Sequence, residues 1–389
     1  MVLQASRSVV FSTLSLLVCS FSAAAQSTAT TPAATPTPIT AKTGVQIRVD
    51  SVGTESKKGS APKTQSQNMQ VSTARLGVSG EVGDTISYTL RLNLRSASGF
   101  STDRNTADGN LSALDRAIVE HRMLPNLSVR FGRMPLVSGS IEADYSSIDA
   151  YSYSFVSDEL AKITPLTTGA DISYRLGTQA VTFAAFNGYY DTTLDRGPQR
   201  GENLSLGLGY RGALMNGMIK PIITANSLSR IRNGVGATRD EKATVTAYAA
   251  GVQISVAGAD IDLEYDAINK PKYKSYTTNA TTGVTAEVAN AEQKTTGIIA
   301  QVAYNLPNPA LRPFVKVSAS EQDTDGKESF KSSRNAFGVE FKPGPRNFRY
   351  HAAAVSNYDD AIKFDSVTSK SVTTRTTSRQ YIVGVTAKM

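Results

Sequence analysis

Residues 86–95 read Ile-Ser-Tyr-Thr-Leu-Arg-Leu-Asn-Leu-Arg, and the reading of the whole chain starts from their order. Ile86, Tyr88, Leu90, Leu92 and Leu94 fall on one parity, and Ser87, Thr89, Arg91, Asn93 and Arg95 on the other. Successive side chains of an extended strand point to opposite faces, so this segment has one apolar face and one face that needs water. A strand that crosses a bilayer beside an aqueous lumen needs about ten residues of this kind. The alternation returns at 203–211, where Leu204, Leu206, Leu208 and Tyr210 oppose Ser205, Gly207, Gly209 and Arg211. It returns again at 380–389, where Tyr381, Val383, Val385, Ala387 and Met389 share a face.

Working outward in both directions, comparable windows fall at 44–52, 69–82, 84–96, 111–123, 126–133, 166–176, 178–189, 203–213, 217–228, 243–257, 259–268, 293–305, 311–321, 334–342, 346–357 and 378–389, sixteen in all. Short, turn-rich connections (Gly83-Asp84, Leu124-Pro125, Gly177-Thr178, Met215-Asn216, Gly258-Ala259, Pro307-Asn308, Pro343-Gly344-Pro345) alternate with long polar ones at 54–67, 96–110, 191–202, 230–242, 269–292 and 359–377. Two classes of connection imply two sides of a membrane, which a soluble sandwich or β-helix has no reason to distinguish. The expected fold is all-β: a transmembrane antiparallel up-and-down β-barrel of sixteen strands, with fourteen or eighteen also compatible with the boundaries. Hydrocarbon offers no water to backbone groups, so the sheet must close. The last strand should therefore pair with the one around Val45-Gln46-Ile47. Tyr and Phe, 16 and 13 in number with no Trp, are expected to form the interfacial girdle.

The N-terminus has the features of an export signal. Arg7 precedes the mostly apolar 9–18 stretch, and Ala23-Ala24-Ala25 supplies a small-residue cleavage site before Gln26. Residues 1–25 are read as a signal peptide, 26–43 as a flexible Ser/Thr/Pro-rich segment and 44–389 as the barrel. A retained anchor, or a lipid on Cys19, are the minor alternatives. Cys19 is the only cysteine, so the exported protein needs no disulfide. The 41 Lys+Arg and 33 Asp+Glu are interspersed without a basic run, which argues against nucleic acid as a partner.

The run Ala74-Arg75-Leu76-Gly77-Val78-Ser79-Gly80-Glu81-Val82-Gly83-Asp84, followed by Leu124-Pro125-Asn126-Leu127-Ser128-Val129-Arg130-Phe131-Gly132-Arg133, resembles the strand-turn-strand segments of the phosphate-selective porin O/P family. The resemblance implies a trimeric sixteen-stranded porin with a constriction loop folded into its channel. Two features depart from the family pattern: Arg133-Met134-Pro135 lacks the Lys that the family places before its Pro, and the chain ends in Met389 where outer-membrane proteins commonly end in Phe.

Arg48, Arg75, Arg91, Arg95, Arg116, Arg122 and Arg130 all take the wet parity of the first five strands and are read as a pore-lining basic wall, with Asp50 and Glu120 mixed among them. The connection after strand five carries Glu142, Asp144, Asp149, Asp158 and Glu159 against Lys162, and these are read as constriction-loop acids. Facing sets of this kind would place a transverse field across the narrowest section. Asp262, Glu264 and Asp266 also alternate inward. His121 and His351 are far apart and belong to no metal-spaced cluster, and no nucleophile or phosphate-loop motif appears, so no enzyme, cofactor or metal is expected.

The expected function is an outer-membrane channel for passive diffusion of small hydrophilic solutes and ions, with a weak preference for anions. A selective channel for phosphate or another oxyanion, and a structural or adhesive barrel with a closed lumen, are the alternatives. The expected partners are outer-membrane lipids, the diffusing solutes, the barrel-assembly machinery and two further copies of the chain.

Overall fold

The computed structural model describes residues 39–94, 114–135, 141–144, 150–163, 167–187, 189–191, 204–232, 241–278, 285–307, 310–343, 348–365 and 370–389. The expected signal peptide, the flexible segment as far as residue 38, Arg95 and Asp149 lie outside them. Strands are β1 (Lys42–Lys58), β2 (Thr64–Val82), β3 (Ile86–Asn93), β4 (Leu114–Leu124), β5 (Leu127–Met134), β6 (Thr167–Leu176), β7 (Gln179–Asn187), β8 (Tyr189–Asp191), β9 (Leu204–Gly212), β10 (Ile219–Arg232), β11 (Glu241–Val256), β12 (Ala259–Lys270), β13 (Tyr273–Thr278), β14 (Thr285–Asn290), β15 (Gln293–Tyr304), β16 (Leu311–Thr324), β17 (Lys327–Phe341), β18 (Phe348–Asp365) and β19 (Lys370–Lys388). The helices are α1 (Ile141–Asp144) and α2 (Phe155–Ile163).

Sixteen of these strands pair antiparallel in chain order and close into a ring. The short β8 adds only a parallel contact with the end of β10, and β13 and β14 form a hairpin of their own. Closure runs in register from Gln46↔Lys388 to Lys58↔Thr376, and Val45 and Met389 exchange backbone hydrogen bonds at 2.7 and 2.8 Å. The C-terminal strand thus pairs where the alternation places it. Each of the sixteen strands is paired on both sides, the arrangement a sheet in lipid requires.

The outward parity is apolar and exposed: Leu204, Leu206 and Leu208 on β9, Leu263 and Tyr265 on β12, Val315 and Val317 on β16, Tyr381 and Val383 on β19. Their immediate neighbours Ser205, Asp262, Glu264, Asp266, Lys316, Ser318 and Ile382 are buried toward the lumen. Tyr174, Tyr304, Phe348 and Tyr350 are likewise exposed on the outside, as an interfacial girdle requires.

Several strands run longer than the alternation predicts. β1 and β2 continue through most of 54–67, and β18 and β19 through most of 359–377, both read from sequence as long loops. The β16–β17 connection shrinks to Asp325-Gly326, whose positive φ values of 51° and 75° make the tight Asp-Gly hairpin turn that matches the strands' twist. Eighteen residues of β18 span about 60 Å at roughly 3.3 Å each, twice the ~30 Å hydrocarbon layer. Beyond the lipid both faces are wet, so pairing continues while the apolar/polar signal ends. At the other end the pairing starts early: Ile39 bridges Val82 and the Thr40 N–H donates to the Glu81 carbonyl at 2.9 Å.

Candidate functional site

The segment between β5 and β6 turns back into the barrel. α2 carries Val156 and Leu160 one turn apart on one face, and the Ser154 hydroxyl caps it by accepting the Ser157 N–H at 3.1 Å. Both apolar side chains are buried against Met134, Phe186, Leu228, Val245, Ile268 and Ile299, which project inward from β5, β7, β10, β11, β12 and β15. Part of the lumen wall is therefore apolar where a porin interior is generally polar, and the loop helix covers it. Gly297 on β15 makes the fit possible: a Cβ there would meet Val156 Cγ1 at 2.4 Å. Burying Val156 and Leu160 contributes on the order of 1.5–3 kcal/mol each to docking.

Polar contacts fix the loop to the same side. Glu142 is 2% exposed, and its carboxylate accepts the Ser154 N–H at 3.0 Å, the Ser154 hydroxyl at 2.6 Å, the Ser157 hydroxyl and the Lys316 ammonium of β16. Lys316 also donates to the Ser152 carbonyl at 2.5 Å. The Glu142 N–H donates to Glu264 Oε2 at 2.7 Å, which gives the buried β12 carboxylate a structural task. Asp158 pairs with Arg334 of β17, and Glu159 with Lys270 of β12 at 2.6 Å.

Residues 150–154 cross the lumen toward β16–β19 and β1. Tyr151 stacks on Phe314 with ring centroids 4.9 Å apart, lies under the Arg48 guanidinium at 4.8 Å, and donates its hydroxyl to Glu340 at 3.0 Å. Arg48 also donates to the Ala150 carbonyl at 2.6 Å. Burial first, then the charge of Glu340, holds the Tyr151 phenol above its ordinary range; burial with the charge of Glu142 pushes that of Tyr153 up to about 12. Beneath Tyr151 the cross-strand register sets Arg312, Glu340, His351, Gly384 and Asp50 in one row. His351 Nε2 reaches Asp50 Oδ1 at 2.7 Å across β19, because the intervening residue, Gly384, has no side chain. A Cβ on Gly384 would lie 2.3 Å from Asp50 Oδ1 and 2.7 Å from His351 Nε2. Glu340, 2% exposed, faces Arg349 at 2.9 Å, Arg312 at 3.5 Å and Lys342 at 3.9 Å.

The arginines of the first five strands are placed as follows. Arg91 and Arg116 are cross-strand neighbours and Arg75 lies opposite Gln46 and Asn93. Arg130 forms a two-pronged pair with Asp171 at 2.9 and 2.6 Å, Arg122 pairs with Glu81 at 3.2 Å near the tight-turn end, and Arg48 pairs with Asp50 at 2.8 Å. Of the loop acids, Glu142, Asp158 and Glu159 are each held by a cation of β12, β16 or β17; Asp144 ends α1. Arg48 thus meets the loop at Ala150 and Tyr151, while Glu142, Asp158 and Glu159 are compensated by Lys316, Arg334 and Lys270. A buried charge is tolerated only with a close counter-charge, which is what these pairs supply. Sequence reasoning passed over Lys270, Lys316, Arg334, Glu340 and Arg349, although the same parity rule on β12 and β16–β18 would have exposed them. Nothing in the sequence pointed to Tyr151.

The model of the family described as phosphate-selective porin O and P matches residues 42–360. The chain belongs to that family. This porin is accordingly an outer-membrane channel for the passive diffusion of small hydrophilic solutes. No curated protein matches it in sequence. Among solved structures it is similar in fold to the outer membrane channel DcaP of Acinetobacter baumannii (13% identity, 89% of this chain and 97% of that one, TM-score 0.56). It is similar also to an anion-selective porin from Comamonas acidovorans (13%, 90% and 100%, TM-score 0.54) and to the trimer form of OmpT from Vibrio cholerae (14%, 89% and 99%, TM-score 0.52).

Proposed function

We propose that the porin is a weakly anion-preferring general diffusion channel whose lumen is narrowed by residues 150–154 of the loop, which pack on the β16–β1 wall. The observation that carries the preference is the surroundings of Glu340: Arg312, Lys342 and Arg349 face this buried carboxylate, and with Asp260 beside Arg312 three cations stand against two carboxylates, a net positive charge beside the loop tip. Arg75, Arg91, Arg116, Arg122 and Arg130 line more of the path, moderated by Glu81 and Asp171, while Arg48 is buried against Tyr151 and Asp50 and acts through them. The protein is exported with removal of residues 1–25 and works as a homotrimer, as the trimeric Vibrio cholerae relative supports. Reversal potential across a KCl gradient in planar bilayers tests the reading. A modest anion preference is expected, reduced in Arg349→Gln. Cation selectivity, or insertion without conductance, would refute it, and strong anion selectivity with saturable block by phosphate would favour a selective oxyanion channel.

A further inference from the structure

Two cavities meet at the loop tip, and Ala150 and Tyr151 line both. The first, about 190 Å³, is bounded by Arg312, Lys316, Lys342 and Arg349, with Glu142 and Glu340 as its carboxylates. Asp260 also stands 3.7 Å from Arg312, so four cations against three carboxylates leave one positive charge in excess. Glu142 takes Lys316, so the excess belongs to the three cations around Glu340. The second, about 430 Å³, has a different chemistry. Thr54, Ser66, Asn68, Gln70, Ser72 and Gln380 line it with uncharged hydroxyls and amides; its two charged residues, Arg48 and Asp50, pair with each other at 2.8 Å. At roughly 30 Å³ per water, the first cavity has room for about six waters and the second for about fourteen.

We propose that the two cavities form one site for a hydroxylated organic anion, a polyol chain or sugar ring ending in a carboxylate. The anionic end sits against Arg312, Lys342 and Arg349, where charge-assisted hydrogen bonds hold an oxyanion. The hydroxyl-bearing body lies past Tyr151 against the amide and hydroxyl wall of β1, β2 and β19, whose side chains both donate and accept, as a polyol requires. A bare oxyanion uses only the first cavity and a neutral polyol only the second; a solute with both ends gains from each. Tyr151 is pinned between Phe314 and Arg48 and so forms a fixed divider rather than a mobile flap. The site rests on the reading of the barrel as an open channel and adds to it a class of solute.

Ion current through the full-length porin in planar bilayers tests the proposal, with gluconate, acetate, inorganic phosphate and sorbitol added in turn. Gluconate should interrupt the current saturably, at a half-blocking concentration at least about tenfold below that of acetate, phosphate or sorbitol. Asn68→Val should weaken the gluconate block about three- to tenfold, the size expected from one hydrogen bond, and leave the effects of acetate and phosphate unchanged. Lys342→Gln should weaken gluconate, acetate and phosphate together. Isothermal titration of the same variants in detergent gives a second readout that needs no current. Gluconate acting no more strongly than acetate or phosphate, in a channel that conducts KCl normally, overturns this proposal alone. A barrel that inserts and conducts nothing overturns the channel reading with it.

Discussion

Replacing Lys316 by Met removes the ammonium from the Glu142 carboxylate without changing side-chain length greatly. Stripping one partner from a buried ion pair costs about 3–5 kcal/mol, because the other charge is left uncompensated. Glu142 retains the Ser154 N–H, the Ser154 hydroxyl and the Ser157 hydroxyl, so the low end of that range applies. The Ser152 carbonyl also loses its Lys316 donor. At 1.4 kcal/mol per factor of ten, the ratio of undocked to docked loop should rise by about two decades. Val156 and Leu160 keep their apolar seat, so the loop remains docked most of the time. The observable is therefore excess current noise and frequent brief high-conductance substates, not a uniformly wider pore. Single-channel recording reads both directly, and deletion of residues 138–158 sets the ceiling for conductance with no loop present. Pairing Lys316→Met with Glu142→Leu removes both charges, which is far less costly than removing one, and should return the noise most of the way to the parent level. Parent-like noise in Lys316→Met, or a double variant noisier than the single one, would show that the ion pair does not hold the loop.

Two further outcomes follow from the geometry around Tyr151. Gly384→Ala places a methyl group between Asp50 and His351 and against the Val49 carbonyl at 2.4 Å; the Asp50–His351 bond should be lost and heat stability should fall. His351→Gln, which keeps a donor, should be milder in the same thermal scan, and equal or reversed losses would contradict the row. Difference titration of the porin against Tyr153→Phe should show one phenol ionising near pH 12 and not near its ordinary pH 10. Since the folded state holds that proton more tightly than the unfolded chain, Tyr153 should withdraw stability as pH rises above 10. A missing phenol that titrates at the ordinary pH would place Tyr153 in open water.

The bilayer-spanning part of this fold is legible because lipid imposes one rule on every residue it touches. Where Leu204, Leu206 and Leu208 face hydrocarbon, Ser205, Gly207 and Gly209 must face inward, and the strand is readable from nine letters. The rule ends at the membrane surface. Residues such as Ser371, Val372, Thr373 and Thr374 of β19 pair with β18 as fully as those below, yet with water on both faces they keep no period. The same reasoning explains what was hidden at the constriction. Arg130 is recognisable as lumenal by parity alone, but its partner Asp171 is recognisable only once β5 and β6 are set side by side.

Loop residues follow no period at all. Glu142 is acidic in the sequence and compensated in the structure by Lys316, 174 positions away. Its sign was legible and its effect on the pore was not. The apolar lumen patch misleads in the opposite direction, because Val245 and Ala247 face inward while their neighbour Tyr248 faces out, so β11 is apolar on both faces. A buried parallel strand in a soluble protein would look alike. Only α2, covering that patch with Val156 and Leu160, gives an inward apolar residue a reason to exist in a water-filled barrel. A barrel strand apolar on both faces therefore marks where an inserted element rests, and in this porin β11, with Ile268 of β12 and Ile299 of β15 beside it, marks the seat of α2.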